Sequence, residues 1–225
     1  MAQTSGSSSG TTSYTSTLPG PTKRGSLLVG CHTWASGTGS SVTTPTGWIA
    51  GPKAQFSTII STQIFYMPYN PGNFTAQAWT CSAAVTIKGR IAEFTCLPGC
   101  SQAVDTTGTG ATGTGATSLP NATSVSNLAN DLCVVAYGAA YSATGSTWTT
   151  PTNYTAIGTI ASLVLQYGFY YRAATPTGTQ SVAGTVSTAT NETGYADTMI
   201  TFKEIPGPAG KGNYTQVPGH RASIW

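Results

Sequence analysis

The sequence predicts an all-β protein, built from two tandem β-sandwich repeats of jelly-roll-like character with extended arms at both ends. Strong helix formers are scarce, whereas Thr, Val, Ile, Tyr, Trp and Phe abound, and these side chains favour strands. Short apolar runs alternate with Gly and Pro, which is typical of sandwiches rather than of βαβ units. Two long segments of the chain also resemble each other, which indicates an internal repeat.

Charged residues are sparse in this chain of 225 residues. It has 9 Lys and Arg, 6 Asp and Glu and a net charge of +3, so only 7% of its residues are charged. A weak net charge argues against a nucleic-acid binder held by phosphate contacts. No apolar run approaches the roughly 20 residues that span a bilayer, and the start MAQTSGSSSG does not read as a secretory signal. We therefore expect neither nucleic acid nor a membrane among the partners.

Three polar stretches divide the chain. Residues 1–25 are predicted to form an N-terminal arm, 101–119 a Thr/Gly-rich linker and 206–225 a C-terminal arm. Such stretches cannot bury enough apolar surface on their own to offset the entropy of ordering them. The two denser segments between them are repeat 1, at 26–100, and repeat 2, at 120–205.

Each repeat is predicted to consist of strands. Residues 27–34 and 132–141 are apolar on both faces, as expected for central strands covered from both sides. A turn follows at 45–47, where Gly47 can supply a positive φ. Residues 57–67 form a long strand, and residues 85–96 form a closing strand in which Gly89 is expected to mark a bulge.

Five sequence anchors recur in the same order in both repeats. Their offset stays between 104 and 108 residues, which indicates duplication of one ancestral unit. In the order repeat 1 then repeat 2, they are Ser26 and Asp131, Pro45 and Pro151, Trp48 and Tyr154, Phe65-Tyr66 and Phe169-Tyr170, and Phe94 and Phe202. Trp48 and Tyr154 are expected to be structural, because they recur at the same turn.

The repeated unit resembles one found in tailed-phage virion structural proteins, of the minor tail or capsid accessory kind. The similarity rests on an opening such as SLLVG, a TPTGW turn, an aromatic strand such as IFYM or FYYR, and a closing IAEF or ITF. It covers about 150 residues in two copies, and the second copy departs from it with Asn153-Tyr154 in place of Gly47-Trp48. The resemblance implies a β-sandwich component of a virion, synthesised in the host cytoplasm.

The composition independently favours an assembly protein. A chain with few charges and three long polar stretches is poorly suited to life as a lone soluble monomer. Arms of this kind either lie across neighbouring subunits, held by backbone hydrogen bonds, or act as flexible linkers without a fixed partner. We expect a homo-oligomer, with a trimer as the first expectation, together with other virion proteins such as major capsid or tail proteins. The expected assembly residues are Leu18, Pro19, Pro206, Tyr214, Ile224 and Trp225.

The sequence thus predicts a non-enzymatic virion structural protein, with capsid decoration or an accessory role favoured over neck, collar and tail positions. The alternative is a tail or collar surface protein that binds host glycans through exposed aromatics. The chain has 5 Trp and 11 Tyr, and aromatic rings stack on sugars. The same residues are also enriched in cores and interfaces.

No catalytic, cofactor or metal site is predicted. His32 and His220 are the only histidines, and a metal site at His32 is disfavoured because its neighbour Cys31 faces the opposite side of the strand. His32 is therefore expected to be either packed and neutral or exposed at the surface. Glu93 and Glu204 lie near the ends of the two closing strands, but they are not equivalent positions. A duplicated glycosidase pair, which needs two carboxylates at a fixed separation, is therefore unsupported.

Four of the five cysteines fall into two groups, and Cys81 is in neither. Cys31 and Cys133 are predicted to be small buried side chains on central strands. Cys96 and Cys100 bracket a tight turn, and they are either free thiols or a possible disulfide within or between subunits.

Overall fold

The computed structural model describes residues 3–35, 39–96, 101–108, 110–115, 118–126, 131–141, 147–160, 165–186, 192–203 and 214–216. These residues form strands paired in antiparallel fashion, which confirms the all-β class. Nowhere in these ranges is there a helix long and apolar enough to cross a membrane. The strands are β1 (Gln3–Thr17), β2 (Leu27–Ala35), β3 (Val42–Thr43), β4 (Ile49–Phe56), β5 (Ile60–Met67), β6 (Ala76–Cys96), β7 (Val104–Thr107), β8 (Thr112–Gly113), β9 (Ser118–Ser126), β10 (Asp131–Tyr141), β11 (Trp148–Thr149), β12 (Thr155–Ile160), β13 (Leu165–Thr175), β14 (Gly178–Val186), β15 (Glu192–Phe202) and β16 (Tyr214–Gln216).

Repeat 1 is built around β2, whose residues are buried except for the half-buried last one. The strand order is β1-β6-β2-β5-β4, and β3 and β16 also pair with β6. The predicted central strand at 27–34 is therefore confirmed, with β5 and β6 as its neighbours. Apolar residues occupy both of its faces because both are covered.

Strand β6 is 21 residues long and contributes to two layers. Its second half pairs with β2, whereas its first half carries Trp79 over the outer face of the sheet. The ring of Trp79 lies 4.0 Å from that of His32 and 5.2 Å from that of Phe65, measured between centroids. Repeat 1 thereby encloses a hydrophobic cluster of its own.

Repeat 2 uses separate strands for its two layers. Its main sheet has the order β12-β13-β10-β15-β7, with β8 also on β15, and a three-stranded sheet of order β11-β14-β9 covers the outer face. The Tyr137 hydroxyl on β10 donates a 2.7 Å hydrogen bond to the carbonyl of Val182 on β14. A Cβ on Gly184 would lie 2.9 Å from the Tyr137 ring, so only glycine lets β14 approach this closely.

The strand register corrects one of the sequence anchors. Val29 pairs with Tyr66 in repeat 1, and the equivalent Val134 pairs with Tyr171 in repeat 2. The counterpart of Phe65-Tyr66 is therefore Tyr170-Tyr171, one residue later than the Phe169-Tyr170 assigned from the sequence. Three consecutive aromatics in repeat 2 make the two alignments look alike, although a one-residue slip exchanges the faces of the strand.

The inner faces of the two repeats pack against each other and form a shared hydrophobic cluster. The rings of Phe94 and Tyr171 lie 5.1 Å apart at an interplanar angle of 69°. Those of Tyr66 and Phe202 lie 5.3 Å apart at 71°. Since Phe94 corresponds to Phe202 and Tyr66 to Tyr171, this is one contact made twice. Such reciprocity characterises a two-fold interface, here between two halves of one chain.

The bulge predicted at Gly89 is wrong. Gly89 pairs in regular register with His32 on one side and with Gly6 on the other. A Cβ there would collide with the His32 ring and the Tyr14 hydroxyl, so the position requires glycine for space. The change in apolar pattern along β6 arises because both faces become buried near its end.

The polar stretches predicted as arms and linker contain strands. Most of the predicted N-terminal arm is β1, which pairs along β6 with register shifts between Ser8 and Ser13. Within the predicted linker, β7 and β8 pair with β15. Strand β9, which starts at the end of that linker, pairs with β14 and belongs to repeat 2. In the described part of the chain, these stretches therefore complete the sheets of their own molecule.

The reciprocal packing yields a stability prediction. Phe94→Ala and Phe202→Ala should each lower the free energy of unfolding by about 3–5 kcal/mol, because both fully buried rings occupy equivalent places in one core. Ile49→Ala, at a position 44% exposed, should change it by less than about 0.5 kcal/mol. Urea unfolding of the three variants measures this. A near-zero cost for either Phe variant would contradict the shared core.

Candidate functional site

The turn that precedes β4 recurs before β12 with the same geometry. The amide of Trp48 donates to the Pro45 carbonyl at 3.0 Å, and that of Tyr154 donates to the Pro151 carbonyl at 3.0 Å. The preceding residues, Gly47 and Asn153, have φ angles of 83° and 67°. Asn tolerates the left-handed conformation better than most residues, which explains how repeat 2 keeps the turn without glycine. Trp48 and Tyr154 thus occupy the same place in the two turns, and their predicted structural role stays a prediction.

In repeat 1 the aromatic residue of this turn, Trp48, is buried in the hydrophobic cluster. Trp48 is 5% exposed, and its indole nitrogen donates a 2.9 Å hydrogen bond to the side-chain oxygen of Gln77. It belongs to one buried cluster with Leu28 and Met67, which face each other on β2 and β5. The turn is therefore closed by three large apolar side chains.

In repeat 2 the same three positions hold different chemistry. Tyr154 replaces Trp48, while Cys133 and Arg172 form the cross-strand pair that corresponds to Leu28 and Met67. An open cleft of about 420 Å³ lies here between the turn, β13 and β14. We call it the Tyr154 cleft. Among the lining residues that the structure describes, Arg172 is the only charged one, and most of the other side chains are polar or small.

The electrostatics of this cleft follow from burial and from Arg172. Burial raises the pKa of the Cys133 thiol to about 12, although the nearby positive charge of Arg172 opposes the shift. Burial also raises the pKa of the Tyr154 hydroxyl, which donates a 3.4 Å hydrogen bond to the Cys133 sulfur. Both groups are neutral at physiological pH, so Arg172 supplies the positive charge of the cleft lining, while Asp131 acts on the Cys133 thiol with the opposite sign.

The sequence alone indicates that Tyr154 takes the place of Trp48, but it does not indicate a cleft there. The anchors already align Trp48 with Tyr154, but the cross-strand partners become known only from the sheet register. Arg172 was therefore not singled out among the candidate residues.

His32 is buried in repeat 1, and Cys31 faces the shared cluster on the opposite side of β2. This confirms the prediction from strand alternation. Burial lowers the pKa of His32 to about 3, so the imidazole is neutral. Its Nδ1 shares a hydrogen bond with the Tyr14 hydroxyl, which fastens β1 to the sheet.

Glu93 has a structural task in the described structure. Its carboxylate accepts hydrogen bonds from the Lys23 amide at 2.6 Å and from the Ser26 hydroxyl at 2.7 Å. The same connector between β1 and β2 is fixed by Asn70, whose side-chain nitrogen donates to the Lys23 carbonyl at 2.8 Å. Glu204 lies outside the described residues.

Asp197 is fully buried on β15, among the residues that face the outer layer of repeat 2. One carboxylate oxygen accepts a hydrogen bond from the Ala111 amide, beside β8, whereas the other lies buried without a partner in the described structure. Burial raises the pKa of Asp197 from 3.8 to about 7, despite the opposing hydrogen bond. The carboxyl group therefore titrates near neutral pH.

The predicted assembly residues have different positions. Leu18 is buried in the cluster of repeat 1 and Pro19 is exposed, so only part of the N-terminal stretch faces solvent. Tyr214 starts β16 and pairs with Cys96 of β6. Pro206, Ile224 and Trp225 lie outside the described residues.

The segments that follow the two repeats occupy corresponding places. After repeat 1, β7 pairs with β15 of repeat 2 at Ile200–Phe202. After repeat 2, β16 pairs with β6 of repeat 1 at Phe94–Cys96. Each repeat thus receives an edge strand from the segment that follows the other repeat.

The tryptophans are placed inside the protein. Trp34 and Trp79 are fully buried, Trp48 is almost so and Trp148 is half-buried, whereas Trp225 lies outside the described residues. Tyr69, at 62% exposure, is the aromatic side chain that stands out into solvent in the described ranges. The described tryptophans therefore do not provide the exposed sugar-stacking surface on which the glycan-binding alternative was based.

The thiols of Cys31, Cys81 and Cys133 are free and buried. This agrees with the prediction for Cys31 and Cys133 as small core side chains. Cys100 and the side chain of Cys96 lie outside the described part, so the possible disulfide stays a prediction.

No group of three or more His, Cys, Asp and Glu that could hold a metal ion occurs within the described ranges. Comparisons of the chain with protein-family models, curated proteins and solved structures found no match. The resemblance to tailed-phage virion proteins therefore rests on the sequence motifs alone.

The raised pKa of Asp197 predicts the direction in which the free energy of unfolding changes with pH. Because its pKa is raised in the folded state, its stabilising contribution is complete below pH 4 and is lost as the pH rises to about 7. Across that window the free energy of unfolding should fall by up to about 1.4 kcal/mol per pH unit. Asp197→Asn should remove this component of the slope, as measured by urea unfolding at pH 4.5, 6 and 8. Identical slopes for the two proteins would refute the assignment.

Proposed function

We propose that the chain is a non-enzymatic structural component of a tailed-phage virion, with capsid decoration or an accessory position as the first assignment. The chain would assemble with its neighbours by packing of its β-sandwiches and by polar segments that add strands to sheet edges. The mutual exchange of β7 and β16 carries the proposal, because strand addition by backbone pairing is what an assembly protein would use between subunits.

The polar segments suit this role. Strand β1 consists of Gln, Thr, Ser and Gly apart from Tyr14, yet it pairs along most of β6. Backbone hydrogen bonds hold such a segment with little help from its side chains. A chain of this kind can attach by its ends to sheets of its own or of a neighbouring molecule.

Within the described residues, a sheet edge without a pairing strand supports association. Strands β4 and β12 are the outermost strands of the two main sheets on the side away from β6 and β15. Strand β4 contains Pro52 and Lys53, which obstruct strand addition, whereas β12 has the sequence TAIGTI without proline or charge. The outer edge of β12 is therefore the better place for a strand from a neighbour.

The proposed assembly is a homo-oligomer with closed rotational symmetry, for which a trimer remains the first expectation. Further partners would be major capsid or tail proteins of the same particle, which places the protein in the virion after synthesis in the host cytoplasm.

Composition of the particle tests the virion assignment. Mass spectrometry of gradient-purified particles from the phage that encodes this chain should detect it in multiple copies per particle. It should stay with the particles after a high-salt wash, because strand pairing and apolar packing depend weakly on ionic strength. Absence of the chain from purified particles would refute the assignment.

Matched substitutions test the proposed edge. Ala156 on β12 and Ala50 on β4 occupy equivalent positions, and both are exposed. Ala156→Lys should weaken self-association by roughly tenfold or more, which corresponds to about 1.4 kcal/mol, because it puts a charge on the unprotected edge. Ala50→Lys should have little effect, since its edge already carries Pro52 and Lys53.

Light scattering coupled to size-exclusion chromatography of the purified full chain, over a range of concentrations, measures the association. Equal effects of the two lysines would contradict the assignment to β12. A wild-type chain that is monomeric throughout would contradict self-association itself.

A further inference from the structure

We propose that the Tyr154 cleft binds an acidic saccharide, a sugar residue that carries a carboxylate. This inference goes beyond the structural role proposed above, since it assigns a ligand to one of the two repeats.

The two repeats provide an internal comparison. At the equivalent site of repeat 1, Trp48, Leu28 and Met67 fill the space and exclude solvent. The backbone turn is the same in both repeats, so the turn itself does not require a cleft. Replacement of three apolar side chains by Tyr154, Cys133 and Arg172 both opens the site and introduces a positive charge. A purely structural site would gain nothing from a charge at the end of a core.

Arg172 selects the acidic group of the ligand. A guanidinium binds a carboxylate through two parallel hydrogen bonds, in a planar geometry that an ammonium group does not offer. It is the one charged side chain in the described part of the lining, so a ligand with one negative charge matches it. A phosphate with two negative charges would be left partly uncompensated.

The remaining lining suits a hydroxylated ligand. Thr152, Thr185 and Gln180 contribute hydroxyl and amide groups, which pair with the hydroxyls of a sugar. The amide nitrogen of Gln180 is held by the carbonyls of Pro176 at 2.8 Å and Gly178 at 3.2 Å, so this side chain is fixed before a ligand arrives. Preorganised groups lose little entropy on binding.

Tyr154 and the size of the cleft set the shape of the ligand. The Tyr154 hydroxyl is turned towards Cys133, which leaves its ring as a wall of the cleft. Such a ring packs against the C–H face of a sugar. The volume of about 420 Å³ lies within the usual range for small-molecule sites and is large enough for one or two sugar residues.

The test uses ¹H–¹⁵N spectra of the full chain titrated with D-glucuronate, N-acetylneuraminate, D-glucose and inorganic phosphate. One of the two sugar acids should shift the amide signals of Tyr154 and Arg172 and bind more tightly than D-glucose and phosphate. Arg172→Met should weaken that binding on the order of 10-fold to 100-fold, as expected for loss of a charged hydrogen-bonded pair. Arg172→Lys should give an intermediate loss.

Arg24→Met is the matched control. Arg24 is an exposed arginine in the connector between β1 and β2 and lines a smaller pocket with Lys23, so this variant removes the same charge elsewhere. Binding should be unchanged in Arg24→Met and reduced in Tyr154→Trp, which restores the indole of repeat 1. Melting temperatures and the rest of the spectrum establish that each variant is folded.

Four results would overturn the proposal. They are no binding of either sugar acid, equal binding of D-glucose, phosphate binding as tight as that of the sugar acids, and loss of binding in Arg24→Met but not in Arg172→Met. The virion assignment is independent of all four, because it is tested by particle composition.

Discussion

The packing of the two inner sheets against each other is the interaction on which the rest of the structure depends. Without repeat 2, the inner face of repeat 1 would expose Leu27, Val29 and Phe94 to water, and the converse holds for repeat 2. Burial of these faces is the main driving force that joins the halves. The reciprocal aromatic contacts require both closing strands in one register, so the two repeats form one folding unit.

This two-fold arrangement also explains what the polar segments do. Once the inner faces are packed, the closing strands β6 and β15 carry sheet edges that each need a further strand. The edge of β15 is completed by β7 and β8, whereas that of β6 is completed mostly by β1 and only at its end, crosswise, by β16. Segments too polar to form a core can do this, because the pairing uses backbone groups. The step from such pairing within the molecule to pairing between molecules is the basis of the proposed assembly role.

The two repeats share one turn geometry but surround it with different side chains. The turn at Trp48 is sealed by apolar side chains, and that seal helps to close repeat 1. The same turn at Tyr154 keeps its backbone geometry while its surroundings become polar and charged. The same turn therefore stabilises the core in repeat 1 and lines the proposed binding cleft in repeat 2.

The sequence by itself determined the strand content, the repeat, the turn at Gly47 and the opposite orientations of Cys31 and His32. These features follow from local rules: side-chain propensity, the two-residue period of a strand and the φ angles that Gly and Asn tolerate. Only the tertiary structure decided which aromatic of repeat 2 matches Tyr66, which edges the polar segments complete and that Arg172 faces Tyr154 across a cleft. Those outcomes depend on register and on contacts between residues far apart in the chain, and residue type alone does not specify either.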